Sequence, residues 1–430
     1  MKLSGLQLNQ IYLSIANILK YLFNRIAIIF INIVVGFISL FINKDKDMYI
    51  LGSLRGYRFA DNAMYMFIYL NEFTDKKAIW ITRDRAIRER LLNKGLKAYL
   101  AWELKGIYHQ LKAKYAIVDQ SSRDINPYLS LGAIKVNLWH GIPIKKLPCY
   151  LKKTNRITNF IKSSRWYKLF LPGMWDQKDI FVLVTSRPII DRMLPLFPVD
   201  SKKMIIANYP RNEMNLRHKG YVIRYLDDKI ISLLKCLQLL KKEGYIILGY
   251  FPTFRDWGED VFFTADYDKL RSFLSFLSDN NVVVITKFHF GVKFRNGQLE
   301  RIKEDISDFK NVILLDEGDD INSILPDLDL LVSDYSGVIY DFLWYEKPII
   351  LYPYDLERYK EDRGFSIDYD SFNPGKKVYN ICELKSEIDQ FLEDPDYIKK
   401  YLPEIRSVRS EIFETEVSCQ RIIDFLENIK

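Results

Sequence analysis

Two of the chain's four histidines stand where an imidazole could move a proton. His140 lies in NLWHGIPIKKL, residues 137–147, behind a tryptophan and ahead of a glycine, a proline and two lysines. A side chain with an ordinary pKa of about 6.5 is the natural general base at neutral pH. Lys145 and Lys146 bring positive charge close by, and Gly141 and Pro143 favour a rigid loop whose backbone another molecule can approach. Nothing in the local sequence activates His140, so an ordinary histidine in a tight turn stays open beside the catalytic reading. His289 closes ITKFH, two residues after Lys287. Side chains at that spacing share one strand face, where the cation could neutralise a phosphoryl group and the imidazole pass it a proton. An exposed edge pair is the alternative there. His109, in a helical stretch, and His218, in a polar one, have no comparable setting.

Phosphate chemistry is suggested a second time in LLVSDYSGVIYDFLWYEKPIILY, residues 330–352. An apolar strand ends, SDYSG makes a turn, and a helix begins. Ser333, Ser336 and Gly337 therefore lie where unpaired amides and the positive end of a helix dipole favour an anion. Ser336 serves equally well as a helix cap. Asp334 is unfavourable beside an anion, so it is expected to turn toward a hydroxyl or a backbone amide. In GYFPTFRDWGED, residues 249–260, a strand breaks at Pro252 and Arg255 projects from its end. Arginine suits bidentate phosphate contact; an internal pair with Asp256 is the other possibility. Neither metal-ligand spacing nor a P-loop occurs, so no metal and no cofactor is expected.

These residues need elements to hold them. MYILGSL (48–54), KAIWIT (77–82), KYAIVD (114–119) and IKVNLWH (134–140) read as strands, with helical periodicity at 60–73 and 84–95 between them. The second half repeats the pattern, with strand-like runs at 245–254, 281–289, 311–316, 328–337 and 347–353 and amphipathic helices at 384–410 and the C-terminus. Strands alternating with helices imply parallel sheets, whose ligands bind beyond the carboxyl ends of the strands. ANYPRNEMNLRHKG, 207–220, is polar and turn-rich and reads as a linker.

A chain of 430 residues, 48% hydrophobic and 14% aromatic, is large enough for two cored domains. Its net charge of +8 is too dispersed for nucleic acid but suits anionic head groups or phosphorylated substrates. Cys149, Cys236, Cys382 and Cys419 are isolated, as reduced cysteines of a cytoplasmic protein are. RIAIIFINIVVGFISLFI, residues 25–42, is borderline in length for a span and is expected to embed in or lie on a membrane, with a buried helix as the alternative.

Taken in order, the segments closely resemble the CDP-glycerol glycerophosphotransferase family of teichoic-acid and capsule-polymer synthesis. The resemblance runs from about residue 48 to the C-terminus: SLRGYRFADNAMYMFIYL, LWHGIPIKKL, NYPRNE, FPTFRD, KFH, DINSILPDLDLLVSDYSGVIYDFLWYEKPII and DLERYKEDRGFSIDYDSFNPG. It implies an α/β, GT-B-like fold of two Rossmann-like domains facing a cleft, with an N-terminal hydrophobic membrane-associating helix. The boundaries are then 1–47 for that helix, 48–215 for an acceptor domain and 216–430 for a nucleotide-binding domain. The donor it implies is CDP-glycerol or a related CDP-polyol. An acceptor hydroxyl on a lipid-linked glycopolymer attacks the phosphorus nearest the glycerol and CMP leaves, at the cytoplasmic face of the cell membrane, with no nucleic acid involved.

By the same resemblance His140 is the general base and His289 stabilises or protonates the transferring phosphate. Ser333, Asp334, Ser336 and Gly337, with Arg255 and Lys287, hold the donor phosphates. Asp61, Asn62, Gly141, Arg211, Asp341 and Arg363 are further site candidates. Two positions depart from the family pattern: Phe290 follows the second histidine where proline is frequent, and Gly337 replaces the second of a usual serine pair. A GT-B glycosyltransferase using a nucleotide sugar is the alternative, and a scaffold with a degenerate site is a third reading.

Overall fold

In the computed structural model the apolar runs become short parallel strands with helices between them, as near-continuous hydrophobicity requires when both sheet faces are covered. The structure describes residues 41–146, 180–197, 199–255, 257, 262–288 and 298–429, with scattered positions between 23 and 38. Of these, the residues within Met1–Arg58, Asp75–Asn137 and Lys153–Ile180 form one compact unit. Those within Phe59–Thr74, Leu138–Lys152 and Phe181–Lys430 form another.

The first unit holds β1 (Asp45–Gly52), β2 (Lys77–Thr82), β3 (Ala98–Leu100), β4 (Ala113–Val118) and β5 (Ile134–Asn137). They lie side by side in the order β3-β2-β1-β4-β5, all parallel. β1 starts earlier than its apolar run because Asp45 and Asp47 pair with Lys77 and Lys76. Strand addition reverses direction between β1 and β4, and the turn after β1 is unusual. Leu54, Arg55 and Gly56 have φ of 39°, 56° and 80°. The buried Asp124 carboxylate holds that turn by accepting from the backbone N–H of Arg55 at 2.8 Å, Gln120 at 2.8 Å and Ser121 at 3.0 Å.

In the second unit, residues 182–184 of β6 (Ile180–Val184) pair with β7 (Met204–Ile206). A six-stranded parallel sheet follows: β8 (Ile246–Phe251), β9 (Val282–Thr286), β10 (Val312–Leu314), β11 (Leu330–Ser333), β12 (Ile349–Leu351) and β13 (Lys376–Lys377), in the order β10-β9-β8-β11-β12-β13. Its core packs Leu248, Val284, Val332 and Ile350 against Phe273 and Leu277 of the helix Tyr267–Asp279 and Leu384 of the helix Ile381–Glu393. The order reverses between β8 and β11, so the loops after these strands border the crevice where such sheets bind ligands.

The stretch read as a linker is instead a helix, Pro210–Arg217, with Arg211, Asn212, Glu213 and Asn215 buried. It packs on the helix Asp61–Phe73, which is buried on nearly every side. The expected membrane-associating stretch 25–42 lies only partly within the described residues. Ile26, Phe30 and Phe37 there are helical and exposed. No helix among the described residues is long and apolar enough to cross a membrane. Cys236, Cys382 and Cys419 are free thiols; Cys149 lies outside the described residues.

Candidate active site

β5 ends at Asn137, so His140 lies beyond the strand, on a loop of the second unit. The loop bends sharply: Trp139 has φ +56° and Gly141 φ +154°. A side chain at Gly141 would be strained by that backbone alone, which explains the glycine. Trp139 places its ring 4.0 Å from the imidazole of His140 and edge-on to Phe197 at 4.9 Å. The imidazole itself is exposed, while Ile142, Pro143 and Ile144 beyond it are buried.

Five neighbours fix the loop's backbone. Asn62 Nδ2 donates to the carbonyl of Trp139 at 2.7 Å, and Arg211 Nη1 donates to that of His140 at 3.0 Å. Ser366 Oγ donates to the Pro143 carbonyl at 2.6 Å, and Ser366 N–H donates to that of Ile144 at 2.8 Å. Lys146 N–H donates to the Gly364 carbonyl at 3.0 Å, and Arg363 Nε returns a bond to the Lys146 carbonyl at 3.1 Å.

Arg211 is the hub. Its Nε and Nη2 grip the two carboxylate oxygens of Asp341 at 3.0 and 2.8 Å, and its Nη1 reaches Asp61 Oδ1 at 2.6 Å. Burial alone would draw its pKa down, but Asp341 and Asp61 hold it above the ordinary arginine value. Close by, Tyr65 donates to Asp320 at 2.6 Å and Asn215 donates to Tyr65 at 3.2 Å. Burial pushes the Asp320 carboxyl up.

At the crevice, Ser333 Oγ donates to the Phe251 carbonyl at 2.7 Å. Asp334 turns to backbone amides, as expected, accepting from Thr253 N–H at 2.9 Å and Tyr335 N–H at 2.5 Å. Arg255, expected to reach a phosphate, is instead 0% exposed. It binds Asp334 at 2.7 Å and Asp355 at 2.7 and 2.9 Å, beneath the rings of Tyr354, Tyr335 and Tyr359. Burial would lower its pKa, yet Asp334, the first of its raising neighbours, keeps it well above the ordinary value. In this conformation Arg255 braces the SDYSG turn from inside. Ser336 is half-buried, its Oγ 3.5 Å from the Val338 amide. Lys287 donates to the carbonyl of Asp319 at 2.5 Å. His289 lies outside the described residues.

Asp61, Asn62, Gly141, Arg211, Asp341 and Arg363, scattered along the sequence, thus gather around the His140 loop. Ser333, Asp334 and Arg255 form a second cluster, joined to the first where Gly337 meets Ile142. Tyr65, Asn215, Asp320, Gly364 and Ser366 belong to this framework and escaped the sequence reading. Their burial and partners arise from contacts distant in the chain, which no local sequence signal announced. Among the described residues no cluster of His, Cys, Asp or Glu is placed to hold a metal ion. The arrangement presents an exposed imidazole on a backbone-clamped loop, next to a turn at a parallel-sheet crevice. That is suited to removing a proton from a hydroxyl beside a bound phosphate.

Residues 34–428 match the family model described as CDP-glycerol:poly(glycerophosphate) glycerophosphotransferase. A teichoic acid glycerol-phosphate transferase of Staphylococcus aureus is 27% identical over 359 residues, 81% of this chain and 85% of the relative. A teichoic acid poly(glycerol phosphate) polymerase of Bacillus spizizenii is 26% identical over 386 residues, 83% of this chain and 88% of the relative. Among solved structures, the wall teichoic acid polymerase TagF superposes with a TM-score of 0.66 at 18% identity, over 94% of this chain and 96% of that one.

Proposed function

The chain belongs to the CDP-glycerol:poly(glycerophosphate) glycerophosphotransferase family, and from that premise we propose that it transfers glycerol phosphate, or a related polyol phosphate, from a CDP-activated donor to a hydroxyl of a teichoic-acid-like acceptor. The observation that carries the reading is the gathering of Asn62, Arg211 and Gly337 around the loop of His140. His140 takes the proton of the acceptor hydroxyl as its oxygen attacks the phosphorus nearest the glycerol. The bond from that phosphorus to the bridging oxygen breaks, and CMP leaves with the electron pair. Lys287, Ser336 and the amides around Gly337 receive the donor phosphates, and Arg255 supports that turn from beneath. His289, following Lys287, meets the charge that develops on the transferred group. Such a transfer needs chiefly positioning and charge neutralisation, which this inventory supplies.

The acceptor is a lipid-linked glycopolymer, and the enzyme works at the cytoplasmic membrane face. The apolar segment 25–42 lies against the lipid, a placement supported by the exposed Ile26, Phe30 and Phe37. Purified protein incubated with CDP-polyols and nucleotide sugars, followed by identification of the released nucleotide, tests the proposal. CMP supports it; a nucleoside diphosphate from a nucleotide sugar overturns it in favour of glycosyl transfer.

A further inference from the structure

We propose that Arg211 is a positioning residue for His140, acting through the backbone of the loop and not through substrate. The inference rests on the reading of His140 as the base. The Arg211 side chain is only 3% exposed and has no face left for a ligand. Its single guanidinium joins three parts of the fold: the helix Val338–Phe342 through Asp341, the start of the helix Asp61–Phe73 through Asp61, and the carbonyl of His140. Its own backbone N–H donates to Asn62 Oδ1 at 3.3 Å, and Asn62 in turn holds the carbonyl of Trp139. Two successive carbonyls, at Trp139 and His140, are therefore set from one buried cluster.

They sit where the backbone is least able to hold itself. Trp139 at φ +56° and Asp61 at φ +59° are both in the left-handed region, where residues with a Cβ persist only if their surroundings over-determine them. The Arg211 fork supplies that constraint at Asp61 and at His140, the residue after Trp139, while Asn62 holds Trp139 itself. A lysine keeps the charge but offers one nitrogen in place of a planar fork, so it cannot span Asp341, Asp61 and the His140 carbonyl together.

Arg211→Lys in the full-length protein tests this with two readouts. In CMP release from CDP-glycerol, kcat is expected to fall ~10- to 100-fold, the scale of a roughly 1 Å misplacement, while KM for the donor changes less than about 2-fold. In protein labelled at histidine Cε1, the ring signal of His140, assigned by its loss in His140→Asn, is expected to move while those of His109 and His218 stay. Asp61→Asn keeps the size of a partly exposed side chain and removes its charge. It is expected to give a smaller change in the same direction, and it carries the test if Arg211→Lys does not fold. An unmoved His140 signal overturns the proposal, whatever happens to kcat. A rise in KM alone also overturns it, by assigning Arg211 to substrate. A moved signal with wild-type turnover supports the positioning and overturns His140 as the base. If the wild type releases no CMP, the functional reading fails and the histidine signals alone decide.

Discussion

A Cβ on Gly337 would stand 2.9 Å from the carbonyl oxygen of Ile142, closer than such atoms approach. The turn after β11 and the loop of His140 therefore touch backbone to backbone, and glycine is what admits the contact. Its φ of −62° is ordinary, so the requirement is steric. Gly337→Ser would install the residue usual at this place in the resembling family. Here it is expected to push Ile142 aside, costing about 1–3 kcal/mol by overpacking and lowering kcat several-fold. Thermal denaturation and CMP release check it; wild-type values in both would mean that the loop yields freely.

His140→Ala is expected to lower kcat at least ~100-fold, the scale of losing a general base. The imidazole is exposed, so the unfolding midpoint should stay at the wild-type value. A near-normal rate in a well-folded variant would remove His140 from the mechanism.

Arg255→Ala should act on folding before it acts on ligand affinity. It leaves Asp334 and Asp355 without the cation that lies between them, a loss of about 3–5 kcal/mol for a broken buried pair. Urea denaturation measures this. Unchanged stability with a raised donor KM would instead make Arg255 a phosphate ligand.

Lys347 gives a pH dependence of known sign. Burial, aided by Lys241, draws it from 10.5 to about 8, and its Nζ donates to the carbonyls of Pro326 and Leu328. The unfolded chain keeps this proton up to about 10.5 while the folded chain releases it near 8, so the unfolded state binds more protons in between. Stability from this group therefore rises with pH across that window. Tyrosines such as Tyr65, pushed up by burial, act in the opposite sense only above their ordinary value of 10. Urea midpoints from about pH 7.5 to 9.5 should rise less steeply in Lys347→Met than in the wild type. Equal slopes would refute the assignment.

Removal of residues 1–42 is expected to shift the protein from membranes to the soluble fraction. The cut stops short of Lys44, whose Nζ donates to the carbonyls of Leu111 at 2.8 Å and Leu131 at 2.7 Å and ties the start of β1 to its unit. A truncated protein that still sediments with membranes would place the lipid contact elsewhere.

The strands were legible because a buried parallel strand is an apolar run, and β2 falls on the expected 77–82. The inward turn of Asp334 followed from charge alone. The helix Pro210–Arg217 was not legible, since PRNEMNLR reads as solvent-facing. Polar side chains there have partners far along the chain: Glu213 accepts from the amides of Ser418 and Cys419, and Asn215 donates to Tyr65. The Arg255 partners were not legible for the same reason: Asp334 and Asp355 lie 79 and 100 residues away along the chain.

The loop of His140 also has a place in time. The ribosome makes His140 well before Asp341, Gly364 and Ser366, the groups that seat Arg211 and residues 143–146. A nascent or prematurely terminated chain ending before Asp341 thus contains the imidazole but lacks both the carboxylate that seats Arg211 and the contacts to residues 143–146. On the proposed reading of His140 as the base, such a chain has no seated base with which to spend donor.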